Sequence, residues 1–179
     1  MRNYRIAVDG MGGDNGPKAV VEGVCRACES GNLHILLAGD QEILEAELAQ
    51  YPKVREFIEI IHAPQSIPMD AKPKEIFDKY PESSMIKAAE IVSTGQADAL
   101  ISAGNTGALI LASAQKIPRI KTVHRTALAA VYPTSNQLNR KDIFSLILDV
   151  GANTTVDRDH MIHFARSEER HVGKECRSR

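Results

Sequence analysis

The sequence predicts an α/β protein, a three-layer Rossmann-like parallel sheet covered by helices on both faces. Three observations carry that expectation. Apolar runs of strand length alternate with helical patterns along the chain. The runs are continuously apolar rather than alternating, as strands buried on both faces are. Three of them close on glycine-containing loops, after Asp9, Ala103 and Asp149. With 179 residues, 43% of them hydrophobic, the chain is long enough for one domain with a packed core.

The first strand is Arg5 to Asp9, which runs into the loop Gly10-Met11-Gly12-Gly13-Asp14-Asn15-Gly16. Pro17 suits the first position of a helix, where its missing N–H costs nothing. That helix runs through Val20, Val24 and Ala27 to a stop at Ser30-Gly31. Leu33 to Ala38 reads as a second strand. Asp40 then caps a helix carrying Ile43, Leu44 and Leu48. Phe57 to Ile61 is a third strand. The stretch from Ala63 to Pro81 holds Pro64, Pro68, Pro73 and Pro81, which forbid a long helix, so a mobile loop or small excursion is expected. Ser83 or Ser84 opens a helix to Thr94-Gly95. Ala97 to Ala103 is a strand, followed by Gly104-Asn105-Thr106-Gly107 and a helix from Ala108 to about Gln115. Thr126 to Tyr132 and Ile143 to Val150 read as strands joined by a polar loop, Pro133 to Lys141. A short helix begins near Asp157 or Asp159. All strands are expected in one parallel sheet with right-handed crossovers.

Charge is balanced, with 22 Lys+Arg against 23 Asp+Glu. No basic excess exists to release phosphate counterions, and aromatic residues are scarce, so nucleic acid is excluded as the main partner. Met1 to Arg5 lacks a signal-peptide core, and no run of about 18 apolar residues could span a bilayer. The expectation is a soluble protein of a reducing compartment. Three cysteines make a disulfide framework improbable. Cys25 and Cys28 form a C-x-x-C inside a helical pattern with no second pair, so they read as small core-side residues rather than a zinc or redox site.

Loops at the carboxyl ends of parallel strands share one sheet edge, where ligands bind. Gly104-Asn105-Thr106-Gly107 lies between a strand and a helix, so its free N–H groups and the positive helix end favour an anion. The dinucleotide fingerprint fails there because Ser102 stands at the first glycine position. It fails in the earlier loop at Asn15, and Pro17-Lys18 spoils a P-loop. A small anion such as free phosphate fits better than NAD or ATP. Asp9 and Asp149 end strands at the same expected edge, as loop braces or catalytic groups. No nucleophile motif appears. His34, His62, His124, His160 and His163 show no ligand spacing, and His160 with His163 are read as surface residues, so no metal site is expected. A metal-dependent hydrolase built on Asp9, Asp14 and Asp149 is a competing reading.

Four blocks together resemble the phosphate acyltransferase family. They are Ile6-Ala7-Val8-Asp9-Gly10-Met11-Gly12-Gly13-Asp14, Ser83-Ser84-Met85, Ser102-Ala103-Gly104-Asn105-Thr106-Gly107-Ala108 and Leu148-Asp149-Val150-Gly151-Ala152-Asn153. They stand in the family's order across roughly residues 4 to 165. The resemblance implies a fold like those of phosphotransacetylase and isocitrate dehydrogenase. It implies transfer of a fatty acyl group from acyl carrier protein to inorganic phosphate, giving acyl phosphate for phospholipid synthesis, without a cofactor. A cytoplasmic bacterial homodimer is also implied. So is peripheral membrane contact through a second half that this chain lacks.

The family usually has alanine at Gly10, and often basic residues where Lys79-Tyr80-Pro81-Glu82 stands. On this resemblance Asp9, Asn105, Asp149 and Asn153 are the catalytic candidates, and Gly12, Gly13, Gly104, Asn105, Thr106 and Gly107 bind phosphate. Residues 1–166 are expected to form the N-terminal part of the acyltransferase domain, truncated relative to the family and with little or no activity alone. Residues 167–179 read as a vector-derived or disordered tail. A non-catalytic phosphate- or nucleotide-binding module is the alternative.

Overall fold

Four of the apolar runs pair as parallel strands in the order β3-β2-β1-β4, formed by β1 (Tyr4–Asp9), β2 (Leu33–Gly39), β3 (Ile58–His62) and β4 (Ala99–Ile101). This is a computed structural model, and it describes residues 4–29, 31–119, 121, 123–124, 127–133, 144–151, 153 and 155–166. The register places Val8 between Leu37 and Ile101, and Asp9 beside Ala38 at the carboxyl edge. The tail expected at 167–179, and most of the polar loop expected at Pro133 to Lys141, lie outside the described residues.

Alternate residues of each strand serve opposite faces of the sheet. Val8, Ile35 and Leu37 pack under helices α1 (Gly16–Glu29) and α2 (Gln41–Leu48). Ala7, Leu36 and Ala38 face α4 (Ser84–Ser93), which follows the short α3 (Ile76–Lys79). On α1 the buried residues Val21, Val24, Cys25 and Cys28 form one stripe at helical spacing. Both thiols are free and buried, and burial pushes Cys25 up to about 11, with Cys28 and Glu29 adding to the shift. This is core packing, not a reactive thiol pair. Asp40 caps α2 by accepting from the Ile43 N–H at 3.1 Å. Leu44 and Leu48 face the core from α2, whereas Ile43 is exposed.

Of the two expectations for the proline-rich stretch, a mobile loop or a small excursion, the structure shows the excursion. The stretch folds into a 3-10 turn at Pro73–Glu75 followed by α3, and it buries Ile67 and Ile76 against Met85, Ile86, Ala108 and Ala112. Prolines rule out a long helix but not short turns, and two well-spaced isoleucines are enough to anchor the segment to α4 and α5 (Thr106–Lys116).

One difference concerns strand direction. The chain divides into two compact units, Met1–Pro118 and Arg119–Arg179, where the sequence reading treats residues 1–166 as one domain. In the second unit β5 (Ala129–Pro133) and β6 (Phe144–Leu148) pair antiparallel with each other, from Ala129 opposite Leu148 to Pro133 opposite Phe144. They form their own two-stranded sheet rather than extending the parallel one. A parallel return needs a crossover of about a dozen residues, usually helical, and residues 134–143 carry no helical pattern. Val131 and Tyr132 are 63% and 61% exposed, unlike strands covered on both faces. A helical stretch at 158–166 follows. Its start is tied by reciprocal bonds between the Asp157 N–H and His160 Nδ1, and between the His160 N–H and Asp157 Oδ1. His163 lies edge-on to His124, with ring centres 5.1 Å apart.

Candidate active site

The site grows out of one buried carboxylate. Asp9 closes β1 and is 2% exposed. Its Oδ1 accepts from the Ser84 hydroxyl at 2.5 Å and from the Met11 N–H at 3.4 Å. Its Oδ2 accepts from the Ser102 hydroxyl at 2.7 Å. Ser102 Oγ in turn accepts the Gly104 N–H at 3.0 Å. One side chain therefore ties the end of β1, the first turn of α4 and the loop after β4. Bonds to a carboxylate are short and strong, and in a dry setting they reinforce one another.

The two glycine loops also touch directly. A Cβ on Gly12 would stand 2.5 Å from Asp9 Oδ2 and 3.0 Å from the Gly104 Cα and N, a space that only glycine fills. Gly13 has φ +104° and lies against Ala103. Of the three loops expected at one sheet edge, those after Asp9 and Ala103 meet, with Gly12, Gly13 and Gly104 at the centre, whereas the loop after Asp149 follows a strand of the separate two-stranded sheet.

Asn105 has a structural occupation. Its Oδ1 accepts the Ala108 N–H at 2.9 Å and caps α5, which is why that helix starts at Thr106, two residues before the expected Ala108. Its Nδ2 donates to the Met69 and Ala71 carbonyls at 2.8 and 3.0 Å. With both amide hydrogens committed, Asn105 positions the turn and does not itself offer the expected side-chain donor to an anion. A Cβ on Gly107 would meet Pro73 Cγ at 2.6 Å, so the proline-rich segment seats directly on this turn. The donors left are the main-chain N–H groups of Thr106 and Gly107, which have no partner within the helix, and the exposed Thr106 hydroxyl.

Asp149 and Asn153 belong to the second unit. Asp149 takes a left-handed conformation at φ +62°. Its Oδ1 accepts from the Asn153 main-chain N–H at 3.2 Å and side-chain amide at 2.9 Å. These bonds tie Asn153 back onto the strand end, an arrangement that aspartate commonly makes in turns.

Sequence reasoning missed Ser84 and Ser102 as partners of Asp9. A signal existed for Ser102, a polar residue at the end of an otherwise apolar strand and immediately before a glycine turn. The expected competitor, a metal held by Asp9, Asp14 and Asp149, meets a carboxylate whose two oxygens are already engaged by serines. Among the described residues no group of three or more His, Cys, Asp or Glu could hold a metal ion. Nor is any helix among them long and apolar enough to cross a membrane.

Beside this junction an open cavity of about 510 Å³ runs between α1 and the strands, from Gly12 and Ser102 at one end to Ala27 and Leu33 at the other.

A parallel sheet with two glycine loops meeting over a strand-end aspartate defines an α/β protein of the Rossmann-like class. The chain superposes on a phosphotransacetylase from Streptococcus pyogenes with a TM-score of 0.67 at 18% identity, covering 91% of this chain and 51% of that one. That likeness is one of fold. Residues 4–170 match the family described as fatty acid synthesis protein, and the chain belongs to that family. Its curated relatives include phosphate acyltransferases from Alkaliphilus oremlandii, 38% identical over 160 residues, and Clostridioides difficile, 38% over 161 residues. Another, from Streptococcus uberis, is 41% identical over 162 residues. The matches cover 89–90% of this chain and 46% of each of these three relatives, so the chain spans about half their length.

Proposed function

We propose that this chain carries the phosphate-binding part of a phosphate acyltransferase, which moves a fatty acyl group from the thioester of acyl carrier protein to inorganic phosphate. The observation that carries the reading is the pair of glycine loops locked together by Asp9, Ser84 and Ser102 at the carboxyl ends of adjacent parallel strands. Such loops offer main-chain donors to a small anion, and neither loop carries the glycine pattern of a dinucleotide fingerprint.

The chemistry needs no nucleophile from the protein. An oxygen of hydrogen phosphate attacks the thioester carbon, and the tetrahedral oxyanion collapses with breakage of the C–S bond. The phosphate proton ends on the carrier sulfur, so the products are acyl phosphate and free carrier thiol. Holding phosphate against the thioester contributes up to about 7–11 kcal/mol in ideal geometry. Fixed donors facing the oxyanion contribute about 3–4 kcal/mol each. In this reading the N–H groups of Gly12, Gly13, Thr106 and Gly107 hold phosphate. Asp9, Ser84, Ser102 and Asn105 are positioning residues that keep those donors aimed. The same reading places the protein in the bacterial cytoplasm as a homodimer without a cofactor, feeding phospholipid synthesis at the membrane surface.

The test mixes the chain with acyl carrier protein bearing palmitate, with and without phosphate. Free thiol is followed colorimetrically, and acyl phosphate is trapped with hydroxylamine. The chain alone is expected to bind phosphate and to release thiol with it far more slowly than a full-length relative, any release being matched one-to-one by hydroxamate. A folded chain that binds no phosphate, with the same thiol release in its absence, overturns the proposal.

A further inference from the structure

We infer that the cavity beside the glycine loops is the acyl-chain channel of this site, with Gly23 and Ala27 setting the length of chain it accepts. This rests on the reading of the loops as a phosphate site and adds to it where the apolar part of the product lies.

The cavity has two chemically distinct ends. At one are the main-chain groups of Gly12 and Gly13 and the N-terminus of α1, which begins at Gly16. The helix dipole favours an anion there, since the Asp9 carboxylate at the same end is already held by Ser84 and Ser102 and Asp14 lies exposed at the rim. From that end the cavity follows α1 and is lined by Ile6, Val8, Val20, Val24, Leu33 and Ile35. No charged side chain stands beyond Asp14 among its lining residues. From Gly16 to Ala27 the helix rises about 16 Å, a span that suits an extended hydrocarbon chain rather than a compact ligand. The volume of about 510 Å³ lies inside the usual range for ligand sites, roughly 300–1,000 Å³.

The wall supplied by α1 is made of small residues. Ala19, Gly23 and Ala27 recur at four-residue spacing and all line the cavity. A Cβ added at Gly23 would meet nothing within 4 Å, so the helix surface there faces open space. Across the cavity, Ile101 of β4 is 56% exposed, a large apolar side chain left to water at the rim. An anionic end joined to an elongated apolar trough matches one ligand chemistry, an amphiphile with a phosphate head and a single alkyl tail. Acyl phosphate has that chemistry.

Alkyl phosphates are stable stand-ins for that product. Butyl, octyl, dodecyl and hexadecyl phosphate are titrated calorimetrically into the chain below their micelle-forming concentrations, with inorganic phosphate as competitor. Affinity is expected to rise with length by up to about fourfold per methylene (about 0.8 kcal/mol) until the channel is full. Gly23→Leu sits on a helix that favours leucine over glycine, so folding is not threatened. It is expected to weaken dodecyl and hexadecyl phosphate at least about tenfold while leaving butyl phosphate and inorganic phosphate unchanged. Ala27→Leu is expected to act only on the longest chain.

A flat length series, or a Gly23→Leu series identical to the parent's, overturns the channel. If Gly23→Leu instead changes the mass measured by light scattering and leaves the series unaltered, the groove belongs to a second copy and the channel is likewise refuted. Competition by inorganic phosphate without any length dependence removes the channel and leaves the proposed function standing. Length dependence without competition means an alkyl groove apart from any phosphate site and overturns both readings.

Discussion

Replacing Asp9 by asparagine keeps the shape of the side chain and removes its charge, which separates the hydrogen-bond network from packing. The parent carboxylate accepts from Ser84 Oγ and Ser102 Oγ at 2.5 and 2.7 Å, both well inside the range of charge-assisted bonds. Bonds to a charged group contribute about 1.5–3 kcal/mol each and neutral ones about 0.5–1.5 kcal/mol. In Asp9→Asn one amide oxygen still serves Ser84. The amide nitrogen, however, faces a Ser102 hydroxyl that already accepts the Gly104 N–H. The Ser102 proton then loses its acceptor. Relief of a buried charge offsets part of this, leaving an expected loss of about 1–3 kcal/mol. Asp9→Ala strips all three acceptor bonds and leaves Ser84 unpaired in a fully buried position, an expected loss of about 3–5 kcal/mol.

The assay is urea denaturation followed by circular dichroism, paired with phosphate titration of the folded fraction. For a chain of this size each kilocalorie moves the thermal midpoint by about 2–4 °C, so Asp9→Asn is expected to melt roughly 2–12 °C lower. Phosphate affinity is expected to fall in Asp9→Asn even where the protein is fully folded, because Gly12 and Gly104 are held together across this carboxylate. An Asp9→Ala protein with parental denaturation midpoint and parental phosphate affinity would refute the view that Asp9 organises both loops.

Neighbouring serines give an internal control: Ser84→Ala is expected to lose about 1.5–3 kcal/mol, whereas Ser83→Ala is expected to be neutral or slightly stabilising in the same urea melts, because the buried Ser83 hydroxyl has no partner among the described residues. Gly107→Val drives a branched side chain into Pro73 and is expected to unseat the proline-rich segment, read as faster tryptic cleavage after Lys74 with a simultaneous drop in phosphate affinity. The thiols of Cys25 and Cys28 are expected to resist Ellman's reagent at pH 8 in the folded chain and to react at once in urea. Because burial raises the Cys25 thiol from 9.0 to about 11, the stability it confers is complete below pH 9 and is lost as pH climbs toward 11, which alkaline melts of a Cys25→Ala variant would test.

What could be read from the sequence follows the range of the interactions involved. β1, β2 and β3 fall within a residue or two of their expected limits because continuous apolar runs flanked by loop residues are a local signal. The same holds for Asp40 at the start of α2, whose capping bond spans three residues. Strand direction is not local. Val131 and Leu146 carry the apolar, β-branched or strand-length pattern of a strand in either orientation, and nothing in that pattern distinguishes their antiparallel pairing from a place in the parallel sheet.

The junction at Asp9 shows the same limit more sharply. Its serine partners lie 75 and 93 residues along the chain, and Asn105 reaches back 34 and 36 residues to the Ala71 and Met69 carbonyls. A strand-end aspartate and a glycine turn each announce a ligand edge, but which side chains face the ligand depends on what those long-range bonds consume. Asn105 carries the residue type expected of an anion donor and spends it on the loop. Gly12 looks like a generic flexible residue, yet it is required by contact with Gly104. A mobile pair of loops would have to be ordered anew each time phosphate bound, at a cost of about 1–2 kcal/mol per residue fixed. In the proposed phosphate site Asp9 meets that cost once, on folding, by holding the loops of Gly12 and Gly104 together.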